Sequence, residues 1–180
     1  TSHRLPIALA CISKNFEVHL GSNFSESKDI YLNNGIRTHQ LNISRTSINP
    51  FKSFLEFISV FNLLLKVKPD IIHLISHKPM IYGCLASIPF RNIKIVSSVS
   101  GLGFVFSDKN IKSLFIKNFI IILYKLSFYK RNLKIIFQNI YDKNFFQKNL
   151  NLKERQIILI PGSGVKITEF DFKPIPKGKP

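Results

Sequence analysis

The regular alternation of short apolar runs with longer helical patterns is the feature that most constrains the fold of this chain. It predicts helices at residues 3–14, 51–67, 80–88, 109–129 and 142–150, and strands at 16–20, within 35–43, and at 70–75, 93–99, 133–137 and 156–160. Strands that alternate with helices build βαβ units with right-handed crossovers. We therefore expect an α/β domain with a doubly wound parallel sheet.

The two ends of the sequence indicate that further protein belongs with it. Folds of this kind normally begin with their central strand, whereas this sequence opens directly on a helical pattern. Residues 173–180 (KPIPKGKP) are basic and rich in proline, as linkers are. We expect one domain at residues 1–172 that lacks its first strand, followed at 173–180 by a linker toward an absent second domain.

The chain is strongly basic. Its 26 Lys and Arg against 10 Asp and Glu give a formal net charge of +16, which attracts phosphates of nucleic acid, anionic lipid or a phosphorylated substrate. The basic residues are spread along the chain, without the arginine-rich block or the stacking aromatics typical of nucleic-acid binding. A basic surface without a specific partner is the alternative.

Other patterns bear on the compartment. The longest apolar run, 119–124, is far shorter than the roughly 20 residues that a membrane span needs, and the N-terminus lacks the apolar core of a signal peptide. Cys11 and Cys84 fall in apolar helical stretches and show no zinc-binding spacing. We expect two buried thiols in a reducing compartment, and no metal site.

Five short segments carry the polar residues and glycines expected of a site. Each stands where a predicted strand ends, and they read SHR at 2–4, SHKPMIYG at 76–83, SGLGFVF at 100–106, FQNIYD at 137–142 and IPGSGV at 160–165. The carboxyl ends of parallel strands lie at one edge of an open sheet, where ligands bind. We therefore predict that these segments line a single cleft.

The segment at 76–83 contains the candidate anion-binding side chain. Lys78 is predicted to bring an ammonium group to a helix start, where backbone N–H groups already favour anions; the alternative is a solvated lysine. Ser76 is predicted to cap that helix and to offer a hydroxyl. We expect His77 to be exposed for substrate contact, and we interpret His73, inside the strand, as a hydrogen-bonded core histidine.

The next two segments offer backbone donors and amides. Glycines let a loop approach a ligand closely, although a plain turn explains them equally well; the candidates here are Ser100, Gly101, Leu102 and Gly103. Gln138 and Asn139 are predicted to hold sugar hydroxyls through their amides. Asp142 is predicted to cap the helix that begins there.

The two outer segments carry cations and glycines. His3 and Arg4 are either a site for the pyrophosphate of an acceptor or two exposed cations at a helix start. A phosphate-binding loop or a hinge is predicted at Gly162, Ser163 and Gly164. Catalytic residues are not assigned, because no nucleophile elbow, P-loop or separated carboxylate pair is present in the sequence.

Taken together and in this order, the segments resemble the N-terminal domain of a bacterial family 4 glycosyltransferase of the GT-B fold. The resemblance is greatest to enzymes that build capsular polysaccharide, O-antigen or N-glycan precursors on a polyprenyl lipid. It extends over about residues 2–172, and the matching stretches are 2–10, 16–19, 68–73, 76–83, 100–106, 137–146 and 160–165.

This resemblance implies two Rossmann-like domains that face each other across a cleft. The absent C-terminal domain would hold a nucleotide sugar, usually UDP-linked, as co-substrate, and the N-terminal domain would bind the acceptor. Residues 162–164 would then form a hinge on the donor side. The implied activity is transfer of a hexose or N-acetylhexosamine to a lipid-linked glycan, with retention at the anomeric carbon and without a metal or other cofactor. The fragment alone is expected to be inactive.

The resemblance also has departures. Lys166 stands where the family commonly has an acidic residue, and Ser100 stands where many relatives have histidine, so no catalytic histidine is carried over. Two rival functions stay open: a basic nucleic-acid-binding α/β domain, and a non-enzymatic module at a membrane surface.

Membrane contact is the last implication of the resemblance. Enzymes of this type are cytoplasmic and often touch the inner face of the cytoplasmic membrane through a basic, apolar N-terminal surface. The net charge fits contact with an anionic membrane. An apolar stripe on the longest predicted helix also fits, although such a stripe is more often core; its residues are Phe115, Phe119, Ile122 and Leu126.

Overall fold

The computed structural model describes residues 5–24, 28–44, 47, 49–99, 101, 111–130 and 132–162, with the side chains of 111–117 outside this description. Its helices are α1 Leu5–Ile12, α2 Asp29–Leu32, α3 Pro50–Val67, α4 His77–Ala86, α5 Ile111–Ser127 and α6 Ile140–Leu150. Its strands are β1 His19–Ser22, β2 Arg37–Gln40, β3 Ile71–Ile75, β4 Lys94–Val99, β5 Leu133–Phe137 and β6 Ile157–Leu159, and a short 3-10 helix at Glu154–Gln156 precedes β6. The predicted α/β class with parallel strands is confirmed.

The six strands form two parallel sheets. β3, β4, β5 and β6 are hydrogen-bonded in that order, and β1 pairs with β2. Within the described residues no ladder joins either of the first two strands to β3, so the strands do not form one continuous sheet. The alternation of patterns identifies strands, but which edges pair depends on contacts between distant segments.

The register of the larger sheet places one of its faces against the helices. Ile72, Ile95 and Leu133 are partners across three strands and therefore share a face, and all three are buried. α4 and α6 lie on this sheet, and α3, α4, α5 and α6 pack against each other in sequence. On the opposite face Ile71 is 47% exposed. In the described part of the chain β3 is therefore buried on one face only, although its apolar sequence is typical of a parallel strand covered on both faces.

Local sequence sets the limits of α3. The side chain of Asn49 caps the helix by accepting a hydrogen bond from the backbone N–H of Lys52 at 3.1 Å. Pro50 begins the helix, where its missing N–H costs no helical bond. The helix ends at Lys68, which adopts a left-handed φ of 49° immediately before Pro69.

A glycine allows α4 to approach β3 closely. A Cβ atom at Gly83 would lie only 2.3 Å from a methyl carbon of Leu74. The absence of a side chain there lets Leu74 pack directly against the helix backbone. The second turn of α4 is thereby held against β3.

Four aromatic side chains form the core beneath the carboxyl edge of the sheet. Tyr124 and Phe128 of α5, Phe137 of β5 and Phe146 of α6 are all buried, with ring centroids 5.1 to 6.2 Å apart in the contacting pairs. Such contacts stabilise beyond the area they bury. They fix α5 against β5 and α6.

The orientation of α5 leaves an apolar stripe in solvent. Phe119, Ile122 and Leu126 are each more than half exposed, so the expectation that this stripe belongs to the core is wrong. The side chain of Phe115 lies outside the description. The buried face of the helix is instead the one that carries Tyr124 and Phe128.

Candidate functional site

The carboxyl ends of four neighbouring strands bring the described candidates to one edge of the sheet. The register pairs Ile75 with Ser98, and Val99 with Phe137 and then Leu159, so these strands end at nearly the same level. The candidates that follow them are Ser76, His77, Lys78, Gly101, Gln138, Asn139 and Gly162. Seven others lie outside the described residues, and their roles stay predictions: His3, Arg4, Ser100, Leu102, Gly103, Ser163 and Gly164.

Ser76 occupies a backbone conformation that residues with a side chain rarely adopt. Its φ of 73° and ψ of 157° fall in a region used almost only by glycine, at a cost on the order of 1–3 kcal/mol. Its carbonyl accepts a hydrogen bond from the N–H of Met80 at 3.0 Å. Its hydroxyl makes no capping bond, so the predicted cap is wrong. That hydroxyl is exposed and has no partner among the described residues.

His77 begins α4 and is half-buried. The helix starts three residues before the predicted 80 because Pro79 falls in the first turn, where its missing N–H costs nothing. Nδ1 of His77 is hydrogen-bonded to the hydroxyl of Tyr124. Burial lowers the pKa of His77, and this effect exceeds the upward effects of the Gly101 backbone and of Asp142. His77 therefore bonds to the domain's interior and is not exposed as expected.

Lys78 is bound to a buried carboxylate. Its ammonium lies 2.8 Å from Oε2 of Glu56 on α3, which also accepts from the hydroxyl of Tyr82 at 3.2 Å. Oε1 accepts from the backbone N–H of Ser44 at 2.9 Å. Burial alone would raise the pKa of Glu56, but the hydrogen bonds from Lys78 and Ser44 and the charge of Lys78 hold it below its usual range. An anion bound at this helix start would compete with Glu56 for Lys78.

At the start of α6, Asn139 rather than Asp142 caps the helix. Asn139 caps the helix, since its Oδ1 accepts from the N–H of Asp142 and its amide donates to the Asp142 carboxylate, both at 2.8 Å. The helix therefore begins at Ile140 rather than at 142, and the prediction that Asp142 is the cap is wrong. Because capping occupies the Asn139 amide, Gln138 is the amide at this edge without a side-chain partner among the described residues.

The loop after β6 is attached to the loop after β5. The N–H of Ile160 donates to the carbonyl of Phe137 at 2.9 Å, and that of Gly162 donates to the carbonyl of Gln138 at 3.2 Å. Gly162 has a φ of 55°, which glycine adopts without strain. The predicted hinge segment thus begins directly beside the predicted amide site.

At this edge of the sheet, the described groups available to a ligand are mainly neutral hydrogen-bonding groups rather than unpaired charges. The hydroxyl of Ser76 and the amide of Gln138 both donate and accept, which suits a ligand rich in hydroxyls. The described residues include no group of three or more His, Cys, Asp or Glu side chains placed to hold a metal ion. Among the described helices, none has both the length and the apolar character to cross a membrane.

A histidine pair on the smaller sheet was not anticipated. His19 Nδ1 and His39 Nε2 are 2.8 Å apart across β1 and β2, and burial, followed by the charges of His19, Lys66 and Arg37, lowers the pKa of His39. Of the two, His39 borders an open cavity of about 520 Å³ between β2 and α3, away from the candidates above. No motif signals this contact, because 20 residues separate the two histidines.

Comparison with known proteins relates this geometry to one family. Residues 1–139 match the model of the family described as glycosyl transferase 4-like. A curated relative from Campylobacter jejuni subsp. jejuni serotype O:2 is 31% identical over 171 residues, which cover 93% of this chain and 44% of the relative. It is named N,N'-diacetylbacillosaminyl-diphospho-undecaprenol alpha-1,3-N-acetylgalactosaminyltransferase. The chain therefore spans less than half the length of that protein.

Solved structures share the fold at low identity. A glycosyltransferase from Rickettsia africae matches with a TM-score of 0.59 and 19% identity over 87% of this chain and 38% of its own. Sucrose-phosphate synthase from Thermosynechococcus elongatus matches with a TM-score of 0.63 and 14% identity, over 94% of this chain and 44% of its own. MurG from Acinetobacter baumannii matches with a TM-score of 0.51 and 12% identity, over 92% of this chain and 42% of its own. The predicted GT-B type of α/β domain is confirmed.

Proposed function

Because the chain belongs to the glycosyl transferase 4-like family, we propose that it forms the acceptor-binding half of a retaining glycosyltransferase. The proposed reaction moves a hexose or N-acetylhexosamine from a UDP-linked nucleotide sugar to a lipid-linked glycan, in the synthesis of a surface polysaccharide or glycan precursor. A second domain holds the nucleotide sugar, and the reaction needs no further cofactor or metal. The name of the Campylobacter relative supports a lipid-linked acceptor.

One observation supports the site more than any other. The Ser76 hydroxyl and the Gln138 amide stand at the carboxyl edge of the same parallel sheet, each without a side-chain partner among the described residues. Polar groups left unpaired at this edge are available to ligands. We assign them to the hydroxyls of the acceptor sugar.

The test is a transfer assay with the full-length enzyme, a UDP-sugar and a polyprenyl-diphosphate-linked acceptor. Gln138→Ala is expected to raise the acceptor KM about five- to tenfold, as the loss of one hydrogen bond of about 1–1.4 kcal/mol does, with the donor KM unchanged. Gln147→Ala is the matched control, because it removes the same amide near the far end of α6. Absence of transfer, or an effect confined to the donor KM, would contradict the proposal, as would turnover by residues 1–180 alone.

We further propose that the enzyme lies at the inner face of the cytoplasmic membrane through α5. Three apolar side chains at spacings of three and four residues share one face of this helix in solvent: Phe119, Ile122 and Leu126. The exposed Lys125 beside them and the net charge of +16 favour an anionic surface. This exposure supports a membrane-facing role for a stripe that would otherwise be expected in the core.

Vesicle flotation tests the membrane contact. The protein is expected to float with phosphatidylglycerol vesicles and to remain unbound with phosphatidylcholine. Replacing all three stripe residues by serine is expected to abolish flotation, whereas Leu65→Ser, at an exposed apolar site on α3, leaves it unchanged. If the triple variant binds the vesicles as well as the unaltered protein does, these three side chains do not mediate membrane contact. Steeply salt-dependent DNA binding would instead favour the nucleic-acid rival.

A further inference from the structure

The hydroxyl of Tyr124 lies where the aromatic core meets the candidate site. Tyr124 is 1% exposed and packs against Phe128 and Phe146. A buried hydroxyl requires a hydrogen-bond partner, and this one is bonded to Nδ1 of His77 at the start of α4. One imidazole thus connects the core of the domain to the turn that leaves β3.

The same imidazole is hydrogen-bonded to the backbone of Gly101, in the loop after β4. This bond raises the pKa of His77, which identifies the Gly101 carbonyl as the acceptor and a ring N–H as the donor. If Nε2 carries that proton in a neutral ring, Nδ1 keeps its lone pair and accepts from the Tyr124 hydroxyl. Because burial lowers the pKa of His77 overall, the neutral ring is the form that fits.

The two backbone positions that His77 connects both have a positive φ. Ser76 has a φ of 73°, which is strained for a residue with a side chain, whereas Gly101 has a φ of 122°, which glycine adopts without strain. A strained conformation such as that of Ser76 persists only where the surrounding structure holds it, and such conformations cluster at functional sites. Through its bonds to Tyr124 and Gly101, His77 is anchored on both sides immediately next to Ser76.

We propose that His77 is the positioning residue of the acceptor site, where its neutral Nε2–H tautomer bridges the Tyr124 hydroxyl and the Gly101 carbonyl and so fixes the exposed Ser76 hydroxyl for the acceptor. The identity of the ligand rests on the proposed function, but the bonding of His77 does not. Of the charged groups near the ring among the described residues, Asp142 on α6 acts on its pKa, and Lys78 is bound to Glu56. His77 touches no reacting atom in this scheme and acts through its two neighbouring turns.

Nuclear magnetic resonance of the protein labelled with nitrogen-15 at histidine tests the bonding directly, with His77→Asn to assign the signals. At pH 7.5 we expect the Nε2–H tautomer, with a titration midpoint below the ordinary value of 6.5. Tyr124→Phe is expected to raise that midpoint, since it removes a donor that favours the neutral ring. Tyr129→Phe removes a solvent-exposed hydroxyl next to the end of α5 and should leave it unchanged. An Nδ1–H tautomer, or an unmoved midpoint in Tyr124→Phe, overturns the proposal.

Kinetics of the full-length enzyme test the positioning role, at a temperature where every variant is folded. Ser76→Ala is expected to lower kcat/KM for the acceptor about tenfold, and Tyr124→Phe about threefold or more, with the donor KM unchanged. The double variant should equal Ser76→Ala, because both changes act through one hydroxyl. Multiplicative losses, or a loss in Tyr129→Phe, overturn the positioning role. If no variant transfers sugar at all, the proposed function fails while the resonance experiment still decides the state of His77.

Discussion

The pair of Glu56 and Lys78 gives the sharpest prediction about stability. The Glu56 side chain is 3% exposed and that of Lys78 is 21% exposed. Breaking a fully buried ion pair costs about 3–5 kcal/mol, because it leaves one charge without its partner. Since Lys78 retains some water and Glu56 keeps its bonds from Tyr82 and Ser44, we expect Lys78→Met to cost about 2–3 kcal/mol. Glu56→Gln should cost about 1–2 kcal/mol, since the exposed part of the ammonium is hydrated.

Urea denaturation followed by circular dichroism measures these changes in the free energy of unfolding. The double variant should lose at least 1 kcal/mol less than the sum of the single variants, since the two side chains interact directly. Lys52→Met is the control, because this lysine is exposed on the same helix as Glu56, and its effect should stay within about 0.5 kcal/mol. Additive losses, or a change below about 0.5 kcal/mol in Lys78→Met, would refute the reasoning.

The same pair predicts a dependence on pH. The pKa of Glu56 is lower in the folded protein than its ordinary value of 4.5. The unfolded chain therefore takes up the proton first as the pH falls, and the pair stabilises the folded state fully only above about pH 4.5. The coupling energy between Glu56 and Lys78 should be constant from pH 8 to pH 6 and should shrink as the pH falls below 4.5. If the coupling energy instead grows on acidification, it does not arise from the charges of Glu56 and Lys78.

Three further predictions concern single residues. Asn139→Ala should cost about 1 kcal/mol of unfolding free energy, as the loss of a helix cap does. An unchanged melting curve would mean that the start of α6 does not depend on this cap. Burial raises the pKa of Cys84 to about 12, so iodoacetamide at pH 8 should modify the half-exposed Cys11 and spare Cys84 in peptide mass spectra. Lys130→Met should cost about 1–3 kcal/mol in a denaturation assay, because the lysine ammonium binds the carbonyls of Ser87 and Phe90, beyond the end of α4, at 2.5 and 2.7 Å. Lys130→Arg should restore part of that loss.

Local patterns in the sequence were sufficient for most of the secondary structure. The apolar run at 133–137 predicts β5 with both of its ends, and Pro69 predicts the end of α3 to the residue. α5 shows the limit of such patterns. Positions 119–124 are apolar in every case, so periodicity cannot decide which face of the helix is buried, and the face chosen for the core was the exposed one.

The side-chain partners at the site depend on distances along the chain that no local pattern encodes. Lys78 lies 22 residues from Glu56, and His77 lies 47 residues from Tyr124. Residue type and position alone predict a lysine free for anions and a histidine free for substrate. Packing of α4 against α3 and α5 instead turns both toward the protein. The meeting of the described candidates at one edge of the sheet was predictable because strand ends are local features, whereas the bonding partners of Lys78 and His77 were not.

Because of these inward contacts, the proposed acceptor binding and the proposed membrane contact should respond differently to salt. At the described edge the groups left for a ligand are the Ser76 hydroxyl and the Gln138 amide, which are neutral, while Lys78 is neutralised by Glu56. Neutral hydrogen bonds respond weakly to salt, whereas attraction between exposed cations and anionic lipid is screened over about 8–10 Å at physiological ionic strength. Raising sodium chloride from 0.05 to 0.5 M should therefore release the protein from phosphatidylglycerol vesicles. In detergent, without such vesicles, the KM for a lipid-linked acceptor should change less than about threefold. A large increase of that KM with salt would mean that cations, rather than this hydroxyl and amide, hold the acceptor.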